Sequence, residues 1–470
     1  ECTSVLALYC SLPASLDNVS KALKLGEAKD SRGKRLIQFF SVPRKPTKTN
    51  PKTRNMPADA PDKWAEFIEY NRQDVVVEKA IRKRLLSLKP PAIEHEYWLL
   101  DQDINWRGVK VDMDLVDAAL ACNDEIVEEA TASSKLLTGL ENPNSTMQLK
   151  EWLTERLGYE LDTMRKEDVS NLLAQDIPSD VRTVLKNRQV LGNSSIKKYL
   201  AMKNAVCSDG RIHGMLQFYG AMRSGRWAGR VVQLQNLPRN YLEDLDTARE
   251  VLKSKDVEML DLLYGNPGDV IKQLIRTALV AEEGHRFIVA DFSAIEARVI
   301  AWLAHEQWRQ DVFAQGGDIY CASASSMFHV PVEKHGVNGH LRQKGKVAEL
   351  ALGYGGGVGA MKSMDSKGEI PESELPGIIE AWRRASPRIT RFWKDADTAA
   401  KKVVKTGEPV RIRQGNIKFF KSKGFMFIEL PSGRRLAYAR PRIGLNRFGS
   451  ESIEYDVLDQ VKNTWGRVET

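Results

Sequence analysis

The apolar positions of this chain fall into blocks of different period, and the changes of period mark its elements. The first 40 residues carry short runs at helical spacing. "VPRKPTKTNPKTRNMPADAPD" (42–62) then supplies Pro, Lys and Thr without any apolar period and predicts a solvated loop. Helical spacing returns from Trp64 to Leu88 and stops at "KPPAI" (89–93), where Pro90 and Pro91 punctuate the chain. Residues 94–205 predict a helical arm broken at "NPNST" (142–146) and "QDIPSD" (175–180), with basic residues gathered late in it as "VLKNRQVLGNSSIKKYLAMK". The pattern turns β-like at "GRIHGMLQFYGA" and "RFIVADF", helical from about 294 to 402, and β-like again through "PVRIRQGNIKFF" and "GFMFIELPSGRRLAYA", with "PSG" (431–433) as a hairpin turn. No internal repeat of fixed period is visible.

Composition narrows this picture only a little. A chain of 470 residues with 42% hydrophobic content can build two to four domains with their own cores. Lys and Arg number 70 against 62 acids, a net charge of +8 that suits a polyanionic partner without requiring one. The five cysteines (Cys2, Cys10, Cys122, Cys207, Cys321) show no CxxC spacing, so neither a zinc site nor a disulfide framework is indicated, and a reducing cytoplasm is expected. No run of 18 apolar residues and no basic leader before an apolar core is present, so no membrane association is expected. The chain opens on Glu1 and stops at Thr470 within an unfinished pattern, and reads as cut or split at both ends.

Two segments carry candidate chemistry. In "FIVADFSAIEARVIAWLAHE" (287–306) an apolar strand pattern over Phe287, Ile288 and Val289 ends at Asp291 beside a helix start. Asp is a favoured N-cap, so the local pattern fits a cap as well as a metal ligand. In "RQKGKVAELALGYGG" (342–356), Arg342, Lys346, Leu350 and Tyr354 recur every fourth residue and make a slowly spiralling stripe on one helix. Cations followed by an apolar group and an aromatic ring match the order of a nucleoside triphosphate, a polyanionic tail and then a flat base. Taken by itself the stripe fits better an ordinary amphipathic helix, with the cations in solvent and Leu350 and Tyr354 in the core, because such helices routinely carry this pattern. Gly355, Gly357 and Ala360 satisfy GxGxxA, but they follow a helix instead of a strand, which argues against a dinucleotide fold.

The pair "DFSAIEARV" and "RQKGKVAELALGYG" resembles motifs A and B of the family A DNA polymerases, the bacterial polymerase I-like enzymes, and is most similar to their phage branch. "SGRWAGRVVQLQNLPR" (224–239) resembles the family's primer-template segment. The resemblance implies an α+β right-hand polymerase with a partial RNase H-like 3′–5′ exonuclease domain over 1–90, a thumb over 91–205, a palm over 206–305, fingers over 306–400 and an incomplete return to the palm over 401–470. It implies template-directed transfer of a dNTP to a primer 3′-OH with two Mg²⁺ ions, Asp291 and the Phe292 carbonyl being ligands. Ser293, Ala294, Ile295 and Glu296 would line the dNTP, Glu296 as the gate against a 2′-OH. Arg342 and Lys346 would hold the triphosphate, with Lys346 able to protonate the leaving pyrophosphate, while Tyr354 packs at the templating position. Leu350 departs from the aromatic residue usual in the family. Primer-template DNA would meet Arg226, Arg230, Gln233, Gln235 and Asn236 in its minor groove, and Ser194, Ser195, Lys197 and Lys198 at the thumb tip.

Tyr70 and Asp74, in "EYNRQDVVVEKAIRKRL", resemble the third motif of proofreading exonucleases, Asp74 being a candidate metal ligand. The family's first two exonuclease motifs and its His-Asp-Glu polymerase motif are missing from these residues. The expected activity therefore needs a second chain or segment for the missing carboxylate. The alternative is a catalytically silent primer-template-binding subunit. A phage-encoded chain of this kind would work in the host cytoplasm.

Overall fold

The structure, a computed structural model, describes residues 2–26, 32–47, 51–193, 195–222, 224–365, 368–413, 416–446, 448–459 and 464–469. The chain forms two compact units, one of Glu1–His95, Met222–Gly225 and Val289–Thr470, the other of Glu96–Ala221 and Arg226–Ile288.

The first unit begins with short helices α1 (Thr3–Tyr9), α2 (Leu16–Leu23) and α3 (Gly33–Ser41), followed by the long α4 (Pro61–Leu85). Ser15 starts α2 by accepting from the Asn18 amide, and Pro61 starts α4 at a position where its missing N–H costs nothing. Leu36, Phe40 and Tyr70 bury together between α3 and α4, with Trp64 and Phe67 packed on them. A side chain at Gly33 would collide with the Tyr70 ring, so the two helices can close only on glycine there.

The second unit contains most of α5 (Ala92–Arg107), β1 (Val109–Val111), α6 (Met113–Thr138), α7 (Thr146–Leu157), α8 (Lys166–Leu173), α9 (Ser179–Leu191) and α10 (Ile196–Ala205). It continues through β2 (Arg211–Ile212), β3 (Leu216–Ala221), β4 (Arg226–Gly229), α11 (Leu245–Lys253), α12 (Val257–Tyr264), α13 (Pro267–Leu274) and β5 (Leu279–Val280). Asp112, Ser145, Asp244, Asp256 and Asn266 cap five of these helices through their side chains. The predicted breaks at 142–146 and 175–180 fall between helices. One core gathers Leu115, Tyr199, Met202, Ile212, Val232 and Ile271, and a second gathers Leu149, Leu153, Val181 and Leu185. Strands β2, β1 and β5 form a small antiparallel sheet, and β3 pairs with β4.

The first unit resumes with α14 (Ile295–Ala304), α15 (Gln307–Ala314), α16 (Ile319–Phe328), α17 (Leu341–Leu352), α18 (Val358–Met364), α19 (Leu375–Ala385) and α20 (Pro387–Thr406). Strands β6 (Val410–Ile412), β7 (Ile417–Ser422), β8 (Phe425–Glu429), β9 (Arg435–Leu445), β10 (Glu451–Asp459) and β11 (Thr464–Glu469) then form an antiparallel sheet in which each strand pairs with its chain neighbours. Lys423 and Gly424, both at positive φ, make the two-residue turn that matches strand twist between β7 and β8, and the predicted turn at 431–433 joins β8 to β9. Val403 and Phe392 of α20 bury against Ile417, Phe419 and Met426 of the sheet, in one core with Val347, Ala348, Leu352 and Trp382.

Mixed helix and antiparallel sheet agree with the α+β expectation, but one predicted strand does not form. Phe287, Ile288 and Val289 belong to no strand and have no paired neighbour among the described residues, and Ile288 and Val289 are 86% and 90% exposed. A β pattern becomes a strand only when another strand takes its backbone hydrogen bonds, which periodicity cannot supply. Among the described residues no helix is long and apolar enough to cross a membrane.

Candidate nucleotide and nucleic-acid sites

Helix α17 is buried on most of its circumference. Gly345, Val347, Ala348, Glu349, Ala351 and Leu352 face inward, whereas Lys346 is exposed and Leu350 is 42% exposed. Lys346 and Leu350 therefore make the helix's solvent face with half-buried Arg342 at its start, and the amphipathic alternative that sends Leu350 into the core is not what forms. Tyr354 lies beyond the helix end, in the turn after Leu352, and is 72% exposed. The sequence reading put it on the helix. The helix stops earlier because Gly353, Gly355, Gly356 and Gly357 follow, residues that favour turns over helix.

Close approach of α16 fixes α17 in place. A Cβ on Gly345 would sit 2.2 Å from the Tyr320 carbonyl oxygen, a backbone atom that cannot move without its helix. Gly345→Ala is expected to lower stability by up to about 2 kcal/mol. The roughly 1 kcal/mol of helix propensity that alanine gains falls short of the overpacking penalty of about 1–3 kcal/mol. A lower urea midpoint with an unchanged slope is the measurement that checks it.

Arg342 is held from the side. Its Nε donates to Asp318 Oδ2 at 2.8 Å, and its guanidinium lies 5.3 Å from the Tyr320 ring centroid. Asp318 Oδ1 meanwhile caps α16 by accepting from the Tyr320 and Cys321 amides at 2.8 and 3.3 Å. Burial works against ionisation of Asp318, yet Arg342 and those two amides outweigh it and hold the carboxyl below its ordinary pKa. The same partnership raises Arg342 above its ordinary value against the opposing effect of burial. The Tyr320 phenol is pushed up, first by burial and then by neighbouring carboxylates that include Asp318 and Glu296. Asp318 and Tyr320 escaped the sequence reading; an Asp before an apolar helix signals a cap, but not a second bond to a residue 24 positions on.

Asp291 is exposed and does not cap α14. The N-cap position belongs to Ala294, at φ 50°, with no side-chain cap bond. Ser293 offers its carbonyl to Arg298 Nε at 2.8 Å, while Phe292, Ile295 and Glu296 are exposed. Among the described residues no three His, Cys, Asp or Glu side chains converge as a metal site.

In the second unit, Arg226, Arg230, Gln233, Gln235 and Asn236 are all exposed on β4 and the turn after it. Val232 and Leu237 anchor that turn in the core beneath. Gln235 Nε2 donates to the Trp227 carbonyl at 3.4 Å and Asn236 Nδ2 to Gln233 Oε1 at 3.3 Å, while Arg230 bonds Gln217. Lys198 Nζ donates to the Val232 carbonyl at 2.8 Å and so braces α10 against this turn. Lys197 is exposed and Ser195 half-buried, while Ser194 lies outside the described residues. Tyr70 is a core residue, its ring stacked on Phe67 at 6.0 Å between centroids, and Asp74, one turn on, is half-buried.

Comparison with known proteins bears on these surfaces. The model of DNA polymerase family A matches residues 116–426. A DNA polymerase of Bacillus phage SP02 is 51% identical over 474 residues, covering all of this chain and 72% of that relative. The thermostable DNA polymerase I of Thermus thermophilus is 35% identical over 149 residues, 31% of this chain and 17% of the relative. Among solved structures, the POL domain of Pol1 from M. smegmatis, in complex with DNA primer-template and dNTP, shares the fold at a TM-score of 0.51 and 18% identity, over 92% of this chain and 63% of that one. The chain belongs to DNA polymerase family A.

Proposed function

We propose that the chain carries out template-directed DNA synthesis, adding dNTPs to a primer 3′-OH. What supports this reading most is the stripe of half-buried Arg342 and exposed Lys346 and Leu350 on a helix buried on most of its circumference, in a member of this family. On this reading Arg342 and Lys346 neutralise the triphosphate, and Lys346 gives a proton to the departing pyrophosphate. Tyr354 packs at the templating position, Glu296 excludes a ribose 2′-OH, and Ser293, Ala294 and Ile295 line the approach. The exposed donors of Arg226, Arg230, Gln233, Gln235 and Asn236 sense the minor groove of primer-template DNA, with Ser194, Ser195 and Lys197 at its phosphates. Residues 91–205 correspond to the thumb, 206–305 to the palm, 306–400 to the fingers and 401–470 to a further part of the palm. Residues 1–90 correspond to part of a 3′–5′ exonuclease domain with Tyr70 and Asp74 as its third motif.

Two Mg²⁺ ions need more than the described residues bring together. Asp291 and the Phe292 carbonyl are one carboxylate and one neutral oxygen, and no cluster of three ligands is found among the described residues. We therefore place the second carboxylate on a segment outside these 470 residues, in the same or a second polypeptide.

Primer extension tests the reading. The chain is assayed alone and with a polypeptide spanning the remaining part of the phage relative, and extension is expected only with the complement. In the active assembly Glu296→Ala is expected to raise rNTP incorporation about tenfold or more, the scale of discrimination that a shape contact supplies. Primer-template binding without extension under either condition would leave a silent DNA-binding subunit instead.

A further inference from the structure

A buried polar network beneath α17 has no part in the chemistry above. Arg309 of α15 is 0% exposed; its Nη1 donates to Glu349 Oε2 at 2.7 Å and its Nη2 to Ser386 Oγ at 2.8 Å. Glu349 Oε1 accepts from Ser323 Oγ of α16 at 2.6 Å and from Trp382 Nε1 of α19 at 2.8 Å. The guanidinium also lies 4.6 and 5.0 Å from the ring centroids of Trp308 and Trp382, while its Nε is buried without a partner among the described residues.

So deep an ion pair is a poor source of stability, because desolvation offsets the attraction and packed apolar side chains would join the same helices as well. What it supplies is direction. At about 100° per residue, Glu349 lies roughly 20° from Arg342 and 60° from Lys346 around α17, at the border between the buried sector and the outward stripe. Rolling the helix by one position would pull the carboxylate out of its ring of donors and carry the Lys346 ammonium toward Arg309, cation against cation. We propose that Arg309 and Glu349, with Ser323, Trp382 and Ser386, are positioning residues that fix the roll of α17 and thereby aim Arg342 and Lys346, on the reading of that stripe as the nucleotide face.

Binding of a fluorescent dATP analogue to the full chain on primer-template DNA, measured beside the melting temperature, tests this. The double variant Arg309→Met with Glu349→Gln removes both charges but keeps an acceptor for Ser323 and Trp382. It is expected to melt within a few degrees of the parent and yet bind the analogue about fivefold to tenfold more weakly. Ser386→Ala deletes one bond to Arg309 and is expected to weaken binding about twofold to threefold, which decides the matter should the double variant not fold. Parental affinity in the folded variants overturns the positioning role. A parent chain that does not bind the analogue, or an Arg342→Ala variant that binds it like the parent, overturns instead the nucleotide reading on which that role depends.

Discussion

Asp291→Ala is expected to abolish primer extension by the completed assembly, by about three orders of magnitude or more, because a metal-held carboxylate supplies several kcal/mol of transition-state stabilisation at about 1.4 kcal/mol per tenfold in rate. The expectation follows from placement. Asp291 is exposed, outside the core and not the cap of α14, so its removal opens no cavity and unravels no helix. Primer-template affinity is therefore expected to stay within about twofold of the parent, since the exposed donors of the β4 turn are untouched. Single-turnover extension and a DNA-binding titration on the same preparation check both halves. Extension at the parental rate would remove Asp291 from the chemistry, and a parallel fall in DNA affinity would make it a binding residue.

Trp382→Ala is expected to have the largest effect on stability. The indole is fully buried, stacks on Trp393 at 5.9 Å between centroids and donates to Glu349. Truncating a buried Trp typically costs about 3–5 kcal/mol, which should cut the protection of the α17 amides from hydrogen exchange by roughly two to four orders of magnitude. Trp382→Phe separates the two contributions. It keeps most of the volume and deletes one donor to a buried carboxylate, for an expected loss of about 1–3 kcal/mol. Equal effects of the two substitutions would assign the indole's importance to its hydrogen bond.

Much of this architecture was legible in the sequence because apolar period is local information. The run of helices from 294 to 402, the breaks in the helical arm and the hairpin turn at 431–433 all formed as the pattern indicates. The stripe placed Arg342, Lys346 and Leu350 on one side of the helix but left open whether Leu350 enters the core, and Lys346 and Leu350 are exposed while Arg342 is half-buried. The partners of those residues were not legible, since Asp318 stands 24 residues before Arg342 and Arg309 stands 40 before Glu349, and no periodicity links such positions. Nothing in the pattern singles out Glu349, yet it is buried and accepts three hydrogen bonds. The bond from Lys198 to the Val232 carbonyl was not legible for a related reason: a lysine in a basic cluster suggests phosphate, but which backbone acceptor it also reaches depends on the turn that folds beneath it. Strands β10 and β11 went unread even though "ESIEYDVLD" alternates.

The pairing order of β6 to β11 has a consequence for how this part of the molecule assembles. Each strand from β7 to β10 hydrogen-bonds to the strands before and after it in the chain, so each hairpin can zip onto the last without waiting for a distant segment. Helix α20 precedes them and supplies an apolar platform in Phe392 and Val403 on which the first hairpin can condense. A ribosome releasing residues in order would expose that platform first, and the growing sheet would cover it one hairpin at a time.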